Sequence, residues 1–421
     1  MLHSTEGSVV KAWELQEALW ATGIAYGDPP RLWSVSPKWY YLWEKQWQQI
    51  VAFGDLLPAL RRVVDGDDGA TYLRADFTLD HQGKLVLVEV NDMPVWDYGT
   101  QAVREVYHRV LGLPEKTKDP FPGAASAIAA MLARKFPKRR IVILLSPDRL
   151  KYSAEYSCLA AYFAEQGLEA VVKTDGDKIR EGDVVYRTFN RDWLTLARNF
   201  PGVDNLLSLI QSGEVTIWPP FTHLEDKVWM TYPFGGGSAN GLVSAFNSTP
   251  LSDLGKFMPP TWLVDPASIG LPWKKRTLRW HANELMGDLT TPNPKKDGTP
   301  TCHDWVLKRA LGAQGKGTAF SSWISSEEWR GRLLEALMNV NGRGPHYVIQ
   351  PEVKTLRHKM TCLSQSGGGL VEKVDLRLRL CVAYLLEGDR VEIIDADATL
   401  VDRPLVHGSS DAISLPVIVR T

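Results

Sequence analysis

The chain has 421 residues, 44% hydrophobic and 23% charged, which is typical of a folded protein of two or three packed units and not of a disordered or fibrous one. Its 48 Lys and Arg residues balance 49 Asp and Glu residues, so no overall positive field favours nucleic acid. No long uncharged apolar stretch predicts a membrane span or a secretion signal, and the four cysteines lack CxxC spacing. We therefore expect a cytoplasmic protein that binds neither nucleic acid nor membranes.

The N-terminal region has helical patterns followed by strand patterns. Apolar residues recur every three or four positions over residues 9–19 and 39–64, which predicts two helices. Residues 71–80 and 84–90 read as two strands joined by a short His-Gln-Gly turn, which predicts an antiparallel hairpin. Prolines and glycines near residues 113–123 indicate a boundary, and we place the first unit at residues 1–120.

The rest of the chain divides into two further units. Residues 121–222 contain a strand, a helix and two more strands, which predicts a small open α/β sheet, mainly parallel. Residues 223–421 contain glycine-rich segments and several long strands, which predicts a largely antiparallel α+β region.

The hairpin carries the first group of residues with chemical potential. Arg74 and Asp76 lie two residues apart on one strand, as do Glu89 and Asn91 on the next, so each pair points to a single face. If the two faces coincide, two carboxylates and an amide oxygen converge, and Mg²⁺ prefers such oxygen ligands beside substrate phosphates. Arg74 beside them would hold a phosphate. The alternative is an ordinary hairpin with a solvated polar face.

A lysine followed by a glycine-rich loop forms the second group. Lys308 ends an apolar strand just before this loop, where its ammonium and the loop N–H groups suit a triphosphate. The spacing fits neither a Walker A loop nor a GxGxxG dinucleotide motif, and a mobile surface turn is the alternative. The candidate loop residues are Gly312, Gln314, Gly315, Lys316 and Gly317.

The strand at residues 347–353 offers a place for the base of a nucleotide. Pro351 interrupts its ladder, which would free backbone groups near Glu352 and Val353 for adenine, with Gln350 just before them. Upstream, Lys227 follows two acidic residues ahead of an apolar run. A charged helix start is the alternative interpretation of Lys227.

In order and spacing these motifs resemble the ATP-grasp superfamily, and in particular its circularly permuted branch, which includes eukaryotic glutathione synthetase and the synthetase domain of glutathionylspermidine synthetase. In that branch an R-x-D and E-x-N hairpin precedes the nucleotide clamp, as residues 74–91 here precede Lys227 and Lys308. The resemblance implies a circularly permuted ATP-grasp fold, α/β and α+β, with an additional small open-sheet α/β domain. Residues 398–403 look like the closing strand of that family.

The resemblance also implies an activity and roles for the residues. A carboxylate–amine ligase would form an amide bond through an acyl phosphate, using ATP and two Mg²⁺ ions and releasing ADP and phosphate. Asp76, Glu89 and Asn91 would bind Mg²⁺, while Arg74 and Arg403 would contact the transferred phosphate or a carboxylate. ATP would be bound by Lys227, Lys308, Gly312, Gln314, Gly315, Lys316, Gly317, Gln350, Glu352 and Val353.

One departure from the family pattern leaves the substrates open. Gln314 and Lys316 stand where an Arg-Glu pair is expected in glutathionylspermidine synthetase, so the carboxylate and amine substrates could be an amino acid, a small peptide or a polyamine. A kinase on the same scaffold and an ATP-binding protein without turnover are the alternatives. The complete set of Asp76, Glu89 and Asn91 argues against the second.

Overall fold

The structure, a computed structural model, describes residues 2–25, 32–67, 69–189, 201–234, 246, 250–264, 270–273, 276–279, 305–311, 317–338, 346–364, 369–403 and 412–421, with side chains except at 2–8, 270–273 and 276–279. The helices are α1 (Leu2–Ala21), α2 (Glu44–Asp65), α3 (Asp97–Leu111), α4 (Ala124–Lys135), α5 (Ser153–Glu165), α6 (Val203–Gln211) and α7 (Ser326–Met338). The strands are β1 (Tyr40–Trp43), β2 (Thr71–Leu79), β3 (Leu85–Asn91), β4 (Thr117–Lys118), β5 (Ile141–Leu144), β6 (Ala170–Lys173), β7 (Val184–Arg187), β8 (Thr216–Trp218), β9 (Trp262–Leu263), β10 (Gly270–Trp273), β11 (Arg276–Arg279), β12 (Trp305–Arg309), β13 (Thr318–Phe320), β14 (Tyr347–Pro351), β15 (His358–Leu363), β16 (Leu370–Glu387), β17 (Arg390–Val401) and β18 (Ile413–Arg420).

The main sheet joins the two ends of the chain. Its order is β1-β18-β17-β16-β2-β3, with β15 added beside β16 and β4 beside β18. All its pairs are antiparallel except β1 with β18. The predicted hairpin is confirmed as β2 and β3, and its neighbour in the sheet is a strand from the C-terminal region.

The two faces of the main sheet differ in chemistry. One face is apolar and packs on α2, where the ring of Phe53 lies 5.3 Å from that of Phe77 and 6.1 Å from that of Tyr384. On the other face, Tyr72 and Ala383 pack with apolar residues of α4 and α5. Next to them, this second face carries polar and charged side chains, among them Arg74, Asp76, Arg379 and Asp397, and we call this part the polar floor.

A smaller sheet follows in the chain. Its strands β6-β5-β7-β8 are all parallel, as the pattern of residues 121–222 predicts. Residues Val142 and Leu144 of β5 pack with Leu206 of α6, which covers one face. The carboxyl end of β7 lies against the residue that follows β3, through Arg187 and Asp92.

A third sheet, which we call the clamp sheet, has the order β13-β12-β14-β9 and is antiparallel. One of its faces packs on α7, where Trp329 and Leu333 meet Leu307 and Ile349 in a separate small core. Residues that alternate with these, namely Val306, Lys308, Val348 and Gln350, occupy the opposite face. Strands β10 and β11 form a two-stranded sheet.

One expectation about an element was wrong. The helix predicted over residues 39–64 begins only at Glu44, because Tyr40–Trp43 form β1, with Tyr40 and Leu42 buried and Tyr41 and Trp43 exposed. Residues 398–401 are the end of β17, so a strand is present there, and β18 lies beside it in the sheet. Within the described residues, no helix is long and apolar enough to cross a bilayer. The predicted unit boundaries at residues 120 and 222 stay predictions.

Candidate functional site

The register of the hairpin brings its four polar residues to one place on the floor. Asp76 lies directly opposite Glu89, and Arg74 lies directly opposite Asn91. Because residues i and i+2 of a strand share a face, all four side chains stand on the same side of the hairpin. The face that carries Arg74 and Asp76 therefore coincides with the face that carries Glu89 and Asn91, a point that the sequence leaves open.

A β-bulge lies in the middle of this group. Asp76 pairs with Glu89, but the next residue, Phe77, pairs with Leu87, which makes Val88 the extra residue of β3. The carbonyl oxygen of Val88 accepts a hydrogen bond from Nζ of Lys308 at 3.1 Å. The bulge therefore supplies a backbone acceptor that ties the clamp sheet to the hairpin.

Two buried lysines approach Glu89. The Nζ atom of Lys227 lies 3.3 Å from Oε2 of Glu89, and both Lys227 and Lys308 are nearly inaccessible to solvent. Lys227 is held in place by its backbone N–H, which donates to the carbonyl of Ala310 just after β12. The structure thus brings Glu89 of the hairpin together with Lys227 and Lys308 between the main sheet and the clamp sheet.

The charges in this site shift the pKa values of Glu89 and Lys308. Burial alone would raise the pKa of Glu89, but Lys227, Lys308, Arg74 and Arg379 outweigh it and lower that pKa to about 2. Burial lowers the pKa of Lys308 to about 8, with Glu89 opposing the change and Lys227 adding to it. Glu89 is therefore an ionised carboxylate over the whole physiological pH range.

The remaining ligand candidates have polar atoms available for an ion. Asp76 is buried, and its Oδ1 accepts from Nε of Arg74 at 3.0 Å, while its Oδ2 has no hydrogen-bond partner. The amide nitrogen of Asn91 is also buried without a partner, and a half-turn of the amide would place its oxygen there. Two carboxylates and an amide, with unsatisfied buried atoms on Asp76 and Asn91, fit Mg²⁺ better than Zn²⁺, which prefers Cys and His. In the described part of the chain, no group of three or more His, Cys, Asp and Glu residues suited to a metal occurs.

On the clamp sheet, Gln350 shares the face of Lys308. It is 4% exposed, and its side-chain oxygen is buried without a hydrogen-bond donor. The carboxylate of Glu352 forms an ion pair with Arg377 of β16 at 3.2 Å and accepts from Ser322. Glu352 thus fastens the clamp sheet to the main sheet, and Val353 follows it, half-buried.

The predicted glycine loop is described at one of its residues. Gly312, Gln314, Gly315 and Lys316 lie outside the described residues. Gly317 has φ +78°, and a Cβ there would lie 2.9 Å from Cβ of Arg309, so this position requires glycine. Arg403 is half-buried two residues beyond the end of β17.

Sequence reasoning missed four further residues of the polar floor. Cys381 lies opposite both Asp76 and Asp397, and Arg379 lies opposite Thr399. Burial raises the pKa of Asp397 to about 6, although Arg379 and Arg74 oppose the shift. The alternation of arginine with leucine in residues 376–380 is a signal that could have identified Arg379, because it places cations on one face of an otherwise apolar strand.

Comparisons with known proteins bear on the fold. No family model and no curated protein sequence matches the chain. Among solved structures, a glutathione synthetase-like effector from Globodera pallida, in its apo form, is similar with a TM-score of 0.58 and 13% identity, over 97% of this chain and 96% of that one. At this identity the likeness shows the fold alone: the chain has a glutathione synthetase-like, mixed α/β fold.

Proposed function

We propose that the protein is an ATP- and Mg²⁺-dependent ligase that joins a carboxylate to an amine through an acyl phosphate. The observation that carries this proposal is the meeting of Asp76, Glu89 and Asn91 on the main sheet with Lys227 and Lys308 from the clamp side. Oxygen ligands on one side and ammonium groups on the other suit the β- and γ-phosphates of a nucleotide. The assignment to the permuted ATP-grasp branch rests on the same residues and their order.

The hairpin residues would handle the reacting end of ATP. Asp76, Glu89 and Asn91 would hold Mg²⁺, which when bound neutralises phosphate charge. Arg74 lies beside Asp76 and donates to it, where its guanidinium would orient the transferred phosphate and the substrate carboxylate. Two negative groups could then approach each other, because the cations of the site screen their repulsion.

The clamp sheet would bind the rest of the nucleotide. In the present structure Lys227 and Lys308 neutralise Glu89, and on ATP binding their ammonium groups would contact phosphate oxygens instead. The unpaired oxygen of Gln350 is a buried acceptor, and the amino group of adenine is a donor that suits it. The site would also exclude water, which protects an acyl phosphate from hydrolysis.

The two substrates belong to broad classes. The carboxylate and the amine are an amino acid, a small peptide or a polyamine, as the resemblance implies. Arg379 and Asp397 extend the floor beyond Asp76, on the side away from Arg74, with one positive and one negative group, so a substrate with both charges could lie along it.

The test is ADP release with ATP and Mg²⁺ across a panel of amino acids, dipeptides and amines, with products identified by mass. We expect the substrates to stimulate ADP release, and we expect a product whose mass is the combined mass of the two substrates less one water. Glu89→Gln should lower the rate by several powers of ten, because each tenfold loss corresponds to about 1.4 kcal/mol of stabilisation of the transition state.

Glu392→Gln is the matched control. Glu392 lies on β17 in an ion pair with Arg390 near the surface, and its loss should leave the rate unchanged. A phosphorylated product without an amide bond would show that the protein is a kinase and not a ligase. Wild-type protein that does not bind ATP would end the nucleotide proposal.

A further inference from the structure

Arg187, at the end of β7, is a fully buried cation in the smaller sheet. Its guanidinium forms an ion pair with Oδ1 of Asp92 at 2.9 Å, and the ring of Phe221 lies 4.3 Å from its central carbon. It also donates to four backbone carbonyl oxygens at 2.8–3.1 Å, those of Asp92, Phe189, Pro219 and Pro220. A buried guanidinium is costly unless it is paired and hydrogen-bonded, so this network holds each of its partners in a defined place.

One of these partners, Asp92, is connected to two residues of the candidate site. Asp92 is the residue after Asn91, and its Oδ2 accepts from the backbone N–H of Thr222 at 2.6 Å. Thr222 precedes the short 3₁₀ helix His223–Glu225, and Lys227 follows two residues later. A single buried ion pair thus fixes both the strand end that carries Asn91 and the start of the segment that carries Lys227.

We propose that Arg187 is a positioning residue that, through Asp92, sets the separation of Asn91 from Lys227. The inference rests on the proposed function, since Asn91 would bind Mg²⁺ and Lys227 would bind ATP. Arg187 itself would contact neither Mg²⁺ nor ATP, since its hydrogen bonds go to Asp92 and to backbone carbonyls. Because a displacement of about 1 Å can cost on the order of a hundredfold in rate, loosening this pair would weaken the site without removing any group that binds ATP.

The smaller sheet provides a matched control. Arg140 and Asp183 precede β5 and β7 at the opposite end of the same strands, and their ion pair spans 2.6 Å with both side chains largely buried. Asp183→Asn therefore removes a comparable charge pair from the same sheet at a distance from the site. Any general loss of stability should be shared by Asp183→Asn and Asp92→Asn.

The experiment measures MgATP binding, the Mg²⁺ concentration at half-maximal binding, and amide exchange in the full-length protein. Asp92→Asn and the milder Arg187→Lys should each raise both binding midpoints at least tenfold and speed exchange in residues 89–92 and 222–227. Asp183→Asn should leave the midpoints within about twofold of wild type.

The outcomes separate the two proposals. If wild type binds MgATP but Asp92→Asn and Arg187→Lys behave like Asp183→Asn, Arg187 has a structural role only and the inference is overturned. If one of the two variants does not fold, the other decides by the same criterion, and if neither folds while Asp183→Asn does, the pair is a folding determinant and the inference fails. Wild type that does not bind MgATP overturns the proposed function, and this inference with it.

Discussion

Glu155 is a carboxylic acid enclosed by the protein in the first turn of α5. It is 1% exposed, and burial together with the nearby charge of Asp97 raises its pKa to about 8. Asp97 itself accepts hydrogen bonds from the hydroxyls of Tyr72 and Tyr186, and burial raises its pKa to about 6. Near neutral pH, Glu155 is therefore mainly protonated.

This raised pKa predicts a pH dependence of stability. Between pH 4.5 and about 8 the folded protein holds a proton on Glu155 that the unfolded chain releases, so the free energy of unfolding falls as pH rises through that window. Glu155→Gln should remove that part of the fall, on the order of 5 kcal/mol if the full difference is expressed. Urea unfolding of both proteins at pH 5 and pH 8 measures it. Glu165→Gln, on the exposed side of α5, should leave the slope unchanged.

At the level of single residues, spacing alone identifies members of the site that are close in the chain. Arg74 and Asp76 are predicted to share a face because they are two positions apart on a strand, and the same holds for Glu89 and Asn91. Asp397 and Arg187 carry no such mark, since their partners lie far along the chain and are found only through strand register or buried contacts.

Among the elements, α2 depends on a close approach to the main sheet. A Cβ at Gly54 would lie 3.0 Å from the Tyr384 ring, so the helix crosses β16 where it has no side chain. Gly54→Val should lower the free energy of unfolding by about 1–3 kcal/mol through overpacking, as measured by denaturant titration.

A glycine in α7 tests whether the loss of stability expected for Gly54→Val is specific to the close contact between α2 and the main sheet. No heavy atom lies within 4 Å of a Cβ built at Gly331, so Gly331→Ala should raise stability by up to about 1 kcal/mol because alanine favours helix. Equal effects of the two substitutions would contradict the packing argument.

The elements also show what local patterns cannot settle. The β2–β3 hairpin was predictable because its strands are joined by a short turn whose Gly83 has φ +76°. Strand β1 was missed because its ladder partner, β18, lies at the other end of the chain, and four consecutive aromatic or apolar residues fit a helix equally well.

For the whole molecule, the site predicts that one ligand stabilises two sheets at once. MgATP would contact the hairpin of the main sheet and Lys308 of the clamp sheet. The two sheets are already joined by the hydrogen bond from Lys308 to Val88 and by the ion pair of Glu352 with Arg377. At a hundred times its dissociation constant MgATP should add about 2.7 kcal/mol, or a few degrees in the thermal midpoint. The shift should vanish in Glu89→Gln and persist in Glu392→Gln. A shift of equal size in both variants would place the nucleotide elsewhere.

The pairing of β2 with β16 joins two strands that the ribosome makes at different times. The hydroxyl of Thr78 on β2 donates to the carbonyl of Leu378 on β16, 300 residues later in the chain. At about 5–20 residues per second, a ribosome takes roughly 15–60 s to synthesise that interval. Throughout that time the free edge of the nascent hairpin is a template on which another chain can pair. During translation, the strand of Arg74 and Asp76 therefore lacks its neighbour in the sheet until β16 has been synthesised.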